Sequence, residues 1–420
     1  MATSVKESII AIKKQPLELF DLSLFMPVLL LFAFGLISIY SATYESHMSD
    51  SFYKQLFFGG LGIGTMLVFM FLPERFLQSN SIILYAISIL FLILVLFFGK
   101  GVAGTKGWFH LGGLSFQPSE LAKFTALLAI ASFLSTKGRD VKTLRDLSIT
   151  LGIIILPMAL IVLQPDIGTA SVFIALGLGV LLWSGFDIFF LYLIVSMPVI
   201  AILSLLGTTH FVVSVSVFAI IAASFRRKIM VTALSLAVVI IVGYFSPTII
   251  ENLMPHQQDR IESFLNPGSD PRGKGYNVIQ SIMAVGSGGF AGKGFLQGTQ
   301  TQLRYIPEQW TDFIFCVPTE EFGFIGGVLV IVLIASIIYR SVKIASLINS
   351  AYFSVICSGI ASIFLYHMVI NIGMALGLMP VMGIPLPFLS YGGSSLIINF
   401  AFIGLMLNAY RSYKLKERAS

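Results

Sequence analysis

Residues 257–324 read QQDRIESFLNPGSDPRGKGYNVIQSIMAVGSGGFAGKGFLQGTQTQLRYIPEQWTDFIFCVPTEEFGF, a polar, glycine-rich and charged block in a chain that is otherwise strongly apolar. The block closes where Asp312 enters an apolar run, Phe313-Ile314-Phe315. Of the 420 residues, 56% are hydrophobic and 11% charged, where a soluble domain carries about 25% charged residues. The mean hydropathy is +0.92. This composition excludes an ordinary soluble enzyme and describes an integral membrane protein. In a soluble protein the net charge of +6 would suggest nucleic acid; here the excess of cations in cytoplasmic loops is the simpler cause. Cys316 and Cys357 both lie in apolar runs, so no disulfide framework or cysteine-based metal site follows. The first apolar run, from Leu22 to Ile39 behind Lys6, Lys13 and Lys14, is too long for a signal-peptide core and reads as a retained span.

Working outward, spans of about 20 mostly apolar residues are expected near 22–42, 55–73, 81–99, 119–135, 147–163, 168–185, 188–206, 210–225, 229–246, 312–339, 352–374 and 393–410. The fold class is therefore an all-α polytopic membrane protein of about twelve transmembrane helices, residues 1–420 forming one membrane domain. With both termini inside, seventeen of the 26 Lys and Arg fall in cytoplasmic segments, including Arg226-Arg227-Lys228 and the C-terminal Arg411, Lys414, Lys416 and Arg418. Three segments of real length then face outward: 101–119, 247–311 and 377–392. Their aromatic residues, among them Trp108, Tyr305, Trp310 and Tyr391, argue against disorder. Within the largest, Tyr276–Val285 is apolar but too short to cross, and is expected at the interface or re-entering the protein surface.

Several residues could carry chemistry. Asp312, at the head of the expected tenth span, is either a buried general base or an acid balancing a helix N-terminus. Glu320 and Glu321 follow two helical turns on, with Glu320 on roughly the face of Asp312, as function or structural pairing. Lys123 inside span four needs a partner: Glu120 lies three residues away on the same face, and Asp166 is the second candidate. Arg260, Arg272, Lys274, Lys293 and Arg304 make the outer loop cationic, and its glycines would let backbone amides approach a phosphate; a solvated loop that needs glycines to turn explains the same composition. Gly292-Lys293-Gly294 lacks the spacing of a nucleotide-binding loop. The five histidines have no metal-ligand spacing, and His367 reads as a hydrogen-bonded core residue.

The run DPRGKGYNVIQS, GKG, GTQTQL, IPE, TDFIF, with KGWFHLGGLSFQPSELAK upstream, QPDIGT between and GIPLPFLSYGGSS near the end, closely resembles the shape, elongation, division and sporulation family of bacterial peptidoglycan glycosyltransferases. Gly298-Thr299-Gln300 resembles the RodA-like branch rather than the FtsW-like one. The resemblance covers most of the chain and implies polymerisation of lipid II at the outer face of the cytoplasmic membrane, in cell elongation. It places the family's essential aspartate on Asp312, its QPSE glutamate on Glu120, the following lysine on Lys123 and the QPD aspartate on Asp166, the latter two as an ion pair, and its tryptophan on Trp108. Arg260, Lys293, Arg304, Gln300 and Ser390 become candidate contacts to the diphosphate or substrate, and a divalent cation (Mg or Mn) a candidate cofactor. The implied partners are a class B penicillin-binding protein and the elongation proteins MreC and MreD. Two departures stand out. Trp310 occupies a position where members often carry histidine, and the chain is longer than the usual ten spans, with an extra helix pair expected within 186–246. The alternatives are a lipid II flippase or other transporter, a non-catalytic scaffold, and a division-type member.

Overall fold

The computed structural model describes residues 19–44, 49–102, 105–111, 114–252, 255–271, 273, 275–307 and 309–419. They form two compact units, one of residues 1–183 and 280–420, the other of residues 184–279.

In the larger unit the chain runs α1 (Leu22–Thr43), α2 (Ser49–Phe71), α3 (Glu74–Phe98), β1 (Lys100–Val102), β2 (Thr105–Leu111), β3 (Leu114–Phe116), α4 (Pro118–Leu134), α5 (Leu144–Val162) and α6 (Ile167–Trp183). The second unit holds α7 (Ile188–Leu205), α8 (Thr208–Ser224), α9 (Ile229–Glu251) and α10 (Pro255–Leu265). Helix α11 (Tyr276–Ser287) leads back into the larger unit, which continues with α12 (Thr299–Gln302), α13 (Cys316–Glu321), α14 (Gly323–Leu347), α15 (Ala351–Ala375) and α16 (Gly393–Ala419). A helix falls at each of the twelve expected spans. Among the described residues, nine of these are long and apolar enough to cross a membrane; α4, α6 and α8 have 17 residues each.

The core of the larger unit lies between α1, α2, α4, α6, α14, α15 and α16, and α4 and α15 are buried along most of their length. Side chains on the remaining faces are apolar and exposed, as lipid-facing positions must be. Helices α7 to α9 pack on one another around Phe189, Ile200, Phe218, Ala222 and Val239. The rings of Tyr192 and Phe218 stack there at 5.2 Å, and Arg227 pairs with Asp187.

The helical membrane fold class holds, with one small addition: β1, β2 and β3 form an antiparallel sheet across residues 100–116, with Lys100 opposite Trp108 and His110 opposite Ser115. Two expectations need correction. The tenth span does not start at 312. Residues 309–315 are turns, α13 is six residues long, and the chain breaks at Gly323, whose φ is +65°. A Cβ there would lie 2.3 Å from the Gly292 nitrogen, so the close approach of the 290–292 turn demands glycine. Asp312 and Glu320 therefore do not share one helix face, because no helix joins them.

Candidate active site

Asp312 is half-buried in the turns that precede α13. Three consecutive carbonyls of this segment are held from the opposite side by α15 and by the segment 377–392. The Tyr391 N–H donates to Trp310 O at 2.9 Å. The Ser390 hydroxyl donates to Thr311 O at 2.7 Å. The Asn371 amide, fully buried, donates from Nδ2 to Asp312 O and also to Ile384 O, both at 2.8 Å. The carboxylate itself faces Gly383, where an added Cβ would sit 3.4 Å from Oδ2.

The 377–392 segment is in turn tightly seated. Pro385 and Pro387 fix two φ angles. Phe388 adopts φ +62°, and its ring is buried against Phe364 and Phe400. His367, one turn before Asn371, donates from Nδ1 to Pro385 O at 2.7 Å. Gln55 bridges Ser390 O and the Gly392 N–H at 3.1 and 3.2 Å. Two glycines make room: a Cβ at Gly168 would lie 2.0 Å from Met382 O, and one at Gly35 would lie 2.6 Å from Phe388 O.

A second polar centre surrounds Glu320, whose side chain has no solvent exposure. It accepts from Lys293 Nζ at 2.7 Å, from the N–H groups of Gln300 and Thr301 at 2.8 and 2.9 Å, and from the Thr301 hydroxyl at 2.7 Å. The carboxylate thus caps α12, where two backbone donors have no helical partner. Burial alone would raise its pKa; Lys293 and the Gln300 and Thr301 donors outweigh that and hold it below the usual value. Glu321 accepts from the Ser41 hydroxyl and, at 3.3 Å, from Gln302 Nε2, which ties α12 to the end of α1. Gln309 Nε2 donates to Ala42 O and Thr301 O, each at 2.9 Å. The C-terminal part of α11 packs nearby: Cys316 Sγ lies 3.8 Å from Ser281 O.

A third centre lies at the start of α4. Lys123 Nζ meets Glu120 Oε1 at 2.8 Å, with both side chains almost fully buried. The Lys123–Asp166 pair implied by the family resemblance does not form. Asp166 caps α6, accepting from the Thr169 N–H at 3.0 Å and its hydroxyl at 2.8 Å, and from Gln117 Nε2 at 3.2 Å. The i, i+3 spacing on α4 puts Glu120 within reach of Lys123, while a helix N-terminus claims Asp166. Trp108 is half-buried on β2, which is anchored to the α5–α6 corner through Lys106 N and Gln164 O at 3.3 Å.

The candidates divide accordingly. The structure brings Asp312 together with Ser390, but Ser390 is buried and both accepts from Leu386 N and donates to Thr311 O, so it braces the chain. Lys293 and Gln300 gather on Glu320, not on an open phosphate site. Arg304 is exposed in the turn after α12. Arg260 belongs to α10 in the second unit, and its side chain, like Arg272 and Lys274, lies outside the described residues. Asn371, Gln55 and Gln309 were not among the residues singled out. The available signal for Asn371 was its place in an apolar span four residues after His367, on one helix face. Among the described residues no three His, Cys, Asp or Glu come together as metal ligands.

A family model for the cell cycle proteins FtsW, RodA and SpoVE matches residues 21–211 and 188–415. The chain belongs to this family. Like other FtsW/RodA/SpoVE proteins it is a multi-pass protein of the bacterial inner membrane. It is 34% identical over 421 residues to the peptidoglycan glycosyltransferase RodA of Treponema pallidum, covering 93% of this chain and 97% of that one. It is 35% identical over 400 residues to the stage V sporulation protein E of Bacillus subtilis, with the same coverage. Among solved structures it resembles a chain of a peptidoglycan synthase complex that coordinates polymerization and crosslinking. The TM-score is 0.70 at 33% identity, covering 94% of this chain and 98% of that one.

Proposed function

We propose that this family member is a RodA-type peptidoglycan glycosyltransferase that joins lipid II units into glycan strands at the outer membrane face during cell elongation. The similarity to a peptidoglycan glycosyltransferase along 93% of the chain carries this reading, and the held Asp312 segment supports it. In the proposed step the Asp312 carboxylate takes the proton of an acceptor sugar hydroxyl. That oxygen forms a bond to the donor's anomeric carbon as the bond from this carbon to the lipid-linked diphosphate breaks, with inversion. The leaving diphosphate keeps the electron pair. Arg304, exposed after α12, is the candidate cation for it.

The proposal keeps a divalent cation as an accessory. Among the described residues no three His, Cys, Asp or Glu come together to cage one, and magnesium in such sites is commonly held by one or two carboxylates together with substrate phosphates and water. The proposed partners are a class B penicillin-binding protein for crosslinking, in line with the matched synthase complex, and the elongation proteins MreC and MreD.

The test is lipid II polymerisation by purified wild type and Asp312→Ala, each with and without the cognate penicillin-binding protein, and with and without EDTA. Strands from wild type and a loss of at least about 100-fold in the variant are expected. Full activity in a folded Asp312→Ala protein would remove the general-base role. No strands from wild type even with the partner present would turn attention to lipid II transport, tested by a flipping assay. An EDTA-insensitive rate would strike the metal from the proposal.

A further inference from the structure

The carbonyls of residues 310, 311 and 312 are held in an unbroken series. Each of three successive carbonyls has its own donor, two on the 377–392 segment and one on α15. Two of the donors, Ser390 and Asn371, are side chains buried to 6% and 0% exposure. Asn371 joins both sides with one group: Nδ2 reaches Asp312 O and Ile384 O, one residue from Gly383, which faces the Asp312 carboxylate. Because both partners are carbonyls, chemistry alone requires the NH₂ group to point there. The amide oxygen is left buried with no hydrogen-bond partner. The NH₂ group is thus committed to two main-chain carbonyls, one on the Asp312 turn and one beside Gly383, and joins the two segments.

We propose that Asn371, assisted by Ser390, is a positioning residue that fixes the Asp312 carboxylate against the Gly383 segment for proton abstraction. The inference rests on the general-base reading of Asp312. Asn371 touches the main chain of the base, not its carboxylate, and acts through it. A general base works only within hydrogen-bond reach of the proton it takes, and small displacements of such a group lower turnover steeply while leaving ground-state binding largely alone. The facing segment is suited to the task, since two prolines, the buried Phe388 ring, His367 and Gln55 hold it independently of Asp312.

The experiment measures kcat, KM for lipid II and thermal stability for Asn371→Leu, Ser390→Ala, Asp312→Ala and a control, Ser358→Ala. Ser358 is equally buried on α15 but bonds only within its own helix, to Val355 O. For Asn371→Leu, kcat should fall about 10- to 100-fold with KM changed less than about threefold, and the melting temperature should drop as the Asp312 and Ile384 carbonyls lose their donor. Ser390→Ala should lower kcat in the same manner by a smaller factor, and it carries the test if Asn371→Leu fails to fold. Ser358→Ala should match wild type. Wild-type kcat in both clamp variants, or a loss seen only in KM, would overturn the positioning role while leaving the base in place. Retained activity in Asp312→Ala would instead remove the base itself, so the two failures are distinguishable.

Discussion

Glu320 is an acid beside a membrane span whose carboxylate is taken up by donors of the protein itself. Its carboxylate gathers Lys293, Gln300 and Thr301, segments far apart from it in the turn-rich outer loop. Replacing it by glutamine leaves the charge of Lys293 and two backbone donors with a weaker partner. Breaking a buried pair from one side typically costs about 3–5 kcal/mol, and Lys293, a quarter exposed, places Glu320→Gln at or below the lower end of that range. The pH dependence follows from the sign of the shift. The folded-state pKa is depressed below 4.5, so the contribution is present above that value and is lost as pH falls through the folded pKa. Denaturation of wild type and Glu320→Gln should therefore differ most at neutral pH and converge below 4.5; a constant gap would contradict this account.

The site depends on how loosely regular elements are joined. The expected tenth span is a set of turns, a six-residue helix and a long helix, and this break is what brings Asp312 to the 377–392 segment instead of burying it in a continuous helix. The segment in turn depends on missing side chains. A Cβ at Gly35 on α1 would lie within 2.9 Å of Phe388 O and of Leu389 Cα and O, all backbone atoms that cannot swing aside. Gly35→Val should therefore push the segment away from α1, costing about 1–3 kcal/mol and lowering turnover. Glycan synthesis and melting of the purified variant check this, and wild-type values for both would show that the segment is more compliant than its packing indicates.

Among the described residues a helix stands at each of the twelve apolar runs, and an even number of crossings would return both termini to one side. The clusters Arg226-Arg227-Lys228 and Arg411 to Arg418 argue that this side is the cytoplasm. Reporter fusions after 139, 227 and 418 should be active only as cytoplasmic reporters, and fusions after 290 only as external ones; a reporter inverted after 227 but not after 139 would mean that one of α5 to α8 does not cross. The element map was legible because the membrane imposes a simple rule: a run of about 20 apolar residues must become a helix with its backbone bonded internally. Asp312, Glu120, Lys123 and the family itself were legible because charges in such runs are costly and their motifs are dense. What sequence could not decide was pairing. Lys123 chose Glu120 over Asp166 because helix α6 needed its cap, Lys293 turned to Glu320, and Ser390 became a brace. The seating of the Trp108 sheet on the α5–α6 corner and the broken tenth span came from close approaches between segments distant in the chain. Those approaches depend on where backbones meet in three dimensions, and the order of residues along one strand of chain carries no direct record of that.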